Sequence, residues 1–307
     1  MSSQGIKSLA GTALLALVGC QAAAQATAVS DSTKIVMLGT GTPNADPDRS
    51  GPAVAIVVNG RAYIVDAGAG VVRRAAAAAR AGNRALVAAN LDIVFLTHLH
   101  SDHTLGLPDL LLSAWVLGRA GPLRVFGPVG TAAMVEHISA AWAEDIHVRL
   151  TGGQPGNQTG YRAEVREIDS GAVYRDSNVT VTAFRVPHGT WDESLGYRFV
   201  TKDRVIVISG DTRPTEAIPA QCNACDVLIH EVYADSTARI APQGVRDYYR
   251  KFHTSTLELA DLATRAKPKL LLLYHQIYRG GTDDDLLREI KTRYAGLVIS
   301  ARDLGVY

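Results

Sequence analysis

The sequence predicts an α/β fold in which strands and helices mix along the whole chain. Three observations carry this: short apolar runs rich in Val and Ile recur, each closed by Gly, Asn or Thr; amphipathic helical stretches separate them; and runs of the two kinds follow one another to the end of the chain. A length of 307 residues allows one large domain or two small ones. With 47% hydrophobic and 20% charged residues, the composition excludes long disorder and collagen-like repeats. Lys and Arg total 31 against 30 Asp and Glu, so no strong net field gathers nucleic acid or an anionic membrane. Three cysteines are too few for a disulfide framework.

The chain opens on what reads as an address. Lys7 precedes an apolar run, Leu9–Gly19, which small residues and Ala24-Gln25-Ala26 follow. That run is about half the roughly 20 residues a spanning helix needs. Residues 1–26 are therefore expected to be a signal peptide, with 27–307 as a single domain, periplasmic or secreted. Leu17-Val18-Gly19-Cys20 also looks like a lipoprotein processing site, and lipidation of Cys20 would then be the one link to a membrane.

Strands are expected at Lys34–Leu38, Ala53–Val58, Ala62–Val65 and Ile93–Leu96. Helices follow at Val71–Ala81 and from Asp102 to about Leu117, the second despite Gly106-Leu107-Pro108. Residues Thr151–Asn157 form the clearest loop, an internal excursion rather than a domain boundary. Later strands are expected at Val179–Val186, Gly196–Val200, Val205–Ser209, Val227–Ile229 and Leu270–Tyr274. Helices are expected near Thr254–Ala266 and Asp283–Tyr294.

The chemistry begins at Thr97–His103, where His98, His100, Asp102 and His103 fall between an apolar strand and a helix. Side chains two apart on extended backbone point the same way, so His98 and His100 can share one metal, with Asp102 and His103 turned toward a second. Neutral imidazole and carboxylate suit a borderline divalent ion such as zinc. A solvated polar loop is the alternative, but three of the nine histidines crowd this segment. His188, Asp211 and His275 each follow an apolar run. Strand ends on one edge of a sheet form a common crevice, where these three can complete the shells, and a short anionic Asp211 can bridge two cations.

The order Gly39-Thr40-Gly41-Thr42-Pro43, Asp66-Ala67-Gly68, Thr97–His103 with Gly106-Leu107-Pro108, His188, Gly196-Tyr197-Arg198, Ser209-Gly210-Asp211-Thr212, His230-Glu231, His253-Thr254-Ser255 and His275 resembles the metallo-β-lactamase-fold hydrolase superfamily. Within it, the pattern is similar to the ribonuclease Z and arylsulfatase-like branch. The resemblance implies an αββα sandwich, two mixed sheets flanked by helices, over residues 27–307. It further implies two Zn2+ ions (or other divalent ions such as Mn2+ or Fe2+), the first on His98, His100 and His188, the second on Asp102, His103 and His275, with Asp211 bridging. Asp102 would orient an activated water or take its proton, His253 would donate a proton to the leaving group, and Glu231 would pair with His253. Plain structural roles for the last two are a strand-end ion pair and a helix-start residue.

Gly196-Tyr197-Arg198 leads almost directly to Ser209-Gly210-Asp211, which leaves no room for the long arm that grips transfer RNA in ribonuclease Z. With the balanced charge and the export signal, this points to a small-molecule ester, a phosphodiester or sulfate ester first, a lactone, carboxylic ester or β-lactam next, and no nucleic-acid partner. A homodimer is consistent with the resemblance. Trp191, together with Trp115, Trp142 and Tyr274, could line an aromatic pocket, although Trp115 and Trp142 read more simply as ordinary core or surface aromatics. Cys222 and Cys225 are spaced for a local disulfide as readily as for redox or zinc chemistry, and no catalytic role is assigned to them. The competing class is a non-hydrolytic metal-binding module of the same fold, or a flavodiiron-type oxidoreductase. The His-rich donor set, complete and with no flavin domain after His275, favours the hydrolase.

Overall fold

The computed structural model describes Met1, residues 32–154 and residues 156–307. The expected signal segment 1–26, with Cys20, otherwise lies outside the described residues. In the first half the chain runs through β1 (Lys34–Gly39), β2 (Ala53–Val58), β3 (Arg61–Val65), α1 (Val71–Arg80), β4 (Ile93–Phe95), α2 (Ser101–Thr104), α3 (Leu107–Val116), β5 (Leu123–Gly127), α4 (Thr131–Ala141), α5 (Ala143–Thr151) and β6 (Ala163–Glu167). In the second half it runs through β7 (Gly171–Arg175), β8 (Thr180–His188), β9 (Trp191–Val200), β10 (Val205–Ile208), α6 (Ala217–Cys222), β11 (Val227–Tyr233), α7 (Asp235–Arg239), α8 (Gln243–Phe252), α9 (Thr256–Ala266), β12 (Leu270–Ile277), α10 (Asp283–Lys291) and β13 (Val298–Ser300).

Each half makes one mixed sheet. The first has the order β1-β2-β3-β4-β5-β6, antiparallel as far as β3 and parallel from β3 to β6. The second has the order β13-β12-β11-β10-β9-β8-β7, parallel from β13 to β10 and antiparallel beyond. Why the runs are apolar throughout rather than alternating follows from burial on both faces. Ile35 and Met37 of β1 enter the core between the sheets, where Phe199, Ile206 and Ile229 meet them, while Val36 and Leu38 face a second core under α1 and α3. A third core joins the outer face of the second sheet to α6, α9 and α10. Three cores between four layers make the αββα sandwich.

The helix expected from Asp102 to Leu117 is two helices. The chain breaks at Gly106 because that backbone packs on the loop after β3: a Cβ there would stand 2.2 Å from the Gly68 carbonyl oxygen. Ala67 N–H donates to the His103 carbonyl and Gly106 N–H to the Ala67 carbonyl, both at 2.8 Å, so the Asp66-Ala67-Gly68 turn is sewn to the histidine segment. At the start of α9, Ser255 and Glu258 form a capping box. Cys222 and Cys225 form a disulfide inside the third core.

Candidate metal centre

Three strand ends and one bulge converge on a single edge of the sandwich. His98 and His100 lie in the irregular segment between β4 and α2, His188 closes β8, and Asp211 follows β10 after Gly210, whose φ of 63° turns the chain. His275 does not follow its strand as expected. β12 continues to Ile277, and His275 is the extra residue of a bulge, between the pairs Glu231↔Tyr274 and Val232↔Gln276, with φ 45°. The bulge re-aims its imidazole toward Asp211.

The donor atoms crowd together. His98 Nε2 lies 3.0 Å from His100 Nδ1, which lies 3.2 Å from His188 Nε2. His275 Nε2 stands 3.2 Å from Asp102 Oδ2 and 3.3 Å from Asp211 Oδ2; His103 Nε2 stands 3.5 Å from Asp102 Oδ2 and 3.4 Å from Asp211 Oδ1. A tetrahedron with bonds of about 2.0–2.2 Å to its centre has edges of about 3.3–3.6 Å, so these separations suit donors arranged around divalent cations. Asp211 belongs to two groups, one with His98, His100 and His188 and one with His253 and His275. His103 Nε2 and Asp211 Oδ1 are buried and have no hydrogen-bond partner among the described residues. Leaving such atoms unpaired is costly, and a bound cation would satisfy both.

The protonation states of His98, His100, His188, Asp211 and Asp102 fit the same reading, because ligands must be neutral imidazoles and ionised carboxylates. Burial pushes His98 well below the usual imidazole range and His188 down to about 4, and it lowers His100 as well. For Asp211, burial opposes ionisation, but His275 and His103 outweigh it and hold the carboxyl well below its ordinary value. Asp102 is lowered in the same way, burial being outweighed by His275 and His103. Burial likewise opposes a charge on His103, yet Asp211 and Asp66 raise it, which marks a pocket built for positive charge.

Outer partners orient the rings. His103 Nδ1 meets Asp66 Oδ2 at 2.8 Å, and His188 Nδ1 meets the Phe252 carbonyl at 2.8 Å, which leaves each Nε2 to face inward. Asp66 also accepts from Thr97 N–H at 2.8 Å and holds a left-handed φ of 61°. Its part in the centre was not read from the sequence, although a carboxylate just after an apolar strand is the same signal that marked Asp211. Trp191 Nε1 stands 2.6 Å from His100 Nε2, so it buttresses a donor rather than lining the cleft. Trp115 and Tyr274 are buried in cores, and Trp142 is exposed between α4 and α5.

Glu231 and His253 stand beside the donors. His253 Nδ1 lies 3.3 Å from Glu231 Oε1, which also accepts from Thr212 N–H and Thr254 N–H at 3.2 and 3.1 Å. A cleft of about 270 Å3 opens onto His100, Asp102, Asp211, His253 and His275, with Thr42, Pro43, Asn44 and Tyr248 in its walls.

A family model described as the beta-lactamase superfamily domain matches residues 61–276, which contain every one of these donors. The chain belongs to the metallo-β-lactamase superfamily. It is thereby placed in a family of metal-dependent hydrolases. This superfamily chain is 33% identical to a protein named ribonuclease Z from Mycobacterium bovis (strain BCG / Pasteur 1173P2), over 283 residues that cover 88% of the chain and 96% of the relative. Two solved structures share the fold. A metallo-β-lactamase fold protein from Bacillus subtilis has a TM-score of 0.70 at 20% identity, covering 90% of this chain and all of that one. Human tRNase Z, short form, has a TM-score of 0.67 at 23% identity, covering 89% and 98%.

These findings correct the functional expectation. An exported, arylsulfatase-like hydrolase of small-molecule esters with no nucleic-acid partner conflicts with relatives that are named ribonuclease Z. The argument from a missing arm fails because the alignment spans 96% of the relative's length, so little of that protein lies outside the shared region. The argument from balanced charge fails because a sum over 307 residues says nothing of the charge along one cleft.

Proposed function

We propose that this chain is a metal-dependent ribonuclease of the ribonuclease Z type, which hydrolyses a phosphodiester bond in RNA, with precursor transfer RNA as the first substrate to test. The observation that carries the reading is the convergence of His98, His100, Asp102, His103, His188, Asp211 and His275 in a chain that aligns along nearly the whole of a ribonuclease Z. Zinc, or another divalent ion, held by these donors would acidify a water and offset charge on the phosphoryl oxygens. Asp102 lines the cleft as an ionised carboxylate and serves to orient the attacking water and accept its proton. His253, whose Nε2 lies 3.5 Å from the Tyr248 hydroxyl in the cleft wall, donates a proton to the leaving oxygen, so the proton lost on one side of the phosphorus is matched on the other. Glu231, fully buried, holds His253 through Nδ1 and favours its protonated form.

The test is incubation of zinc-loaded protein with an end-labelled precursor transfer RNA that carries a 3′ trailer. One discrete cut is expected, with the rate reduced about 10^2–10^4-fold in Asp102→Ala. Turnover of p-nitrophenyl sulfate or a lactone, with RNA left intact, would overturn the assignment.

A further inference from the structure

Helix α8 carries Arg-Asp-Tyr-Tyr-Arg-Lys-Phe at 246–252 and borders the cleft. Buried Tyr249 anchors it by stacking on Tyr233, with centroids 5.1 Å apart and planes at 21°. Tyr248, in contrast, stays 45% exposed. Its ring is held firmly all the same: it stacks on Phe252 at 4.7 Å and 26°, and Phe252 meets the His188 ring edge-on at 5.2 Å. Gly189 allows this close packing, since a Cβ there would fall 1.9 Å from Phe252. The Tyr248 hydroxyl lies 3.5 Å from His253 Nε2, and leaving the ring exposed forfeits the gain from burying it.

Two cations lie on the rings next to Tyr248, whose centroids are 4.7 and 5.5 Å from its own. Lys251 Nζ lies 5.8 Å from the Phe252 centroid, and the Arg279 guanidinium lies 5.7 Å from the Tyr249 centroid. Neither forms an ion pair among the described residues, whereas nearby Arg49 is held by Asp283 at 3.3 Å. Arg279 borders a groove of about 460 Å3 that shares Thr42, Asn44 and Tyr249 with the cleft. An exposed aromatic face with cations nearby that form no ion pair is how proteins hold single-stranded nucleic acid: bases stack on the ring and phosphates meet the cations.

We infer that Tyr248, Lys251 and Arg279 form the subsite for the single-stranded RNA that flanks the scissile phosphate. One base stacks on Tyr248, and the phosphates to either side meet Lys251 and Arg279. The subsite rests on the ribonuclease reading and supplies, from one helix wall and one loop, a grip on the strand beside the metal centre.

Steady-state cleavage of a labelled single-stranded oligoribonucleotide by the zinc-loaded chain tests it, with bis(p-nitrophenyl) phosphate as a phosphodiester lacking flanking nucleotides. Tyr248→Leu is expected to raise KM for RNA about tenfold, and Tyr248→Phe, which keeps the ring and loses only the hydroxyl beside His253 Nε2, to restore KM. Lys251→Gln and Arg279→Gln, both at exposed positions, are each expected to reduce the slope of log KM against log salt by about 0.7. Arg265→Gln, on α9 and paired with Glu216, serves as the comparison and leaves that slope unchanged. Unaltered RNA kinetics in all three cleft variants would overturn the subsite and leave the ribonuclease reading standing. An equal rise in KM for the small diester in Tyr248→Leu would also overturn it, because the ring would then serve any aromatic ester. Absence of RNA cleavage by the unaltered chain, with the small diester still hydrolysed, would overturn both.

Discussion

His253 shows how single side chains set the chemistry. Burial opposes its charge, but Glu231 at 3.3 Å, with Asp211 and Asp102 beyond, outweighs burial and raises it above the ordinary imidazole value of 6.5. The proton-donating form is therefore present at neutral pH and is lost as pH rises through that raised value. A pH–rate profile of RNA cleavage should show an alkaline fall above pH 6.5, and Glu231→Gln should move it to lower pH, where simple loss of structure would lower the whole curve. A fall that stays in place in Glu231→Gln would remove His253 from the role of acid. At this scale the sequence was readable where donors are consecutive, as in His98, His100, Asp102 and His103. Asp66 was not, because its only mark is a short Asp-Ala-Gly turn, and its partner His103 is 37 positions away.

Elements depend on contacts that their own residues do not announce. Arg119 sits in a Gly-Arg-Ala-Gly stretch that reads as a surface loop. It is 2% exposed and donates to the carbonyls of Leu91, Leu110, Leu111, Gly121 and Gly160, which braces the middle of α3 against the loops before β4 and β6. Burial lowers its pKa to about 10, so it remains charged at neutral pH. Arg119→Met should cost about 3 kcal/mol or more, since several buried carbonyls lose their donors, and Arg119→Lys should recover little because a single ammonium cannot replace the planar fork. Urea titration measures both, and a loss below about 1 kcal/mol in Arg119→Met would contradict the bracing role. The same dependence explains the elements that periodicity did not reveal. β6 and β7 lie at sheet edges with exposed, polar residues, and α4 and α5 bury few apolar positions, so their patterns are weak.

Across the whole molecule, the donors draw together both sheets, since His98 follows the first and His188, Asp211 and His275 belong to the second. Metal binding should therefore stabilise the sandwich as a unit. A metal held at about 100 times its Kd adds about 2.7 kcal/mol, which for a chain of this size corresponds to about 4 °C in Tm. Addition of EDTA should lower Tm by that amount and zinc should restore it; a Tm indifferent to both would contradict the assignment of these donors. From the chain alone came the α/β class, the central strands, the histidine segment and, through the order of its motifs, the sandwich and the donor set. These are local or linear properties: apolar runs report burial, and spacing reports direction. Folding alone established that His275 reaches the centre through a bulge, that Asp66 and the Phe252 carbonyl orient the rings, and that Tyr248 stands exposed at the cleft with its hydroxyl near His253. Each of those facts is a distance between residues far apart in sequence, and such distances exist only once the two sheets have packed.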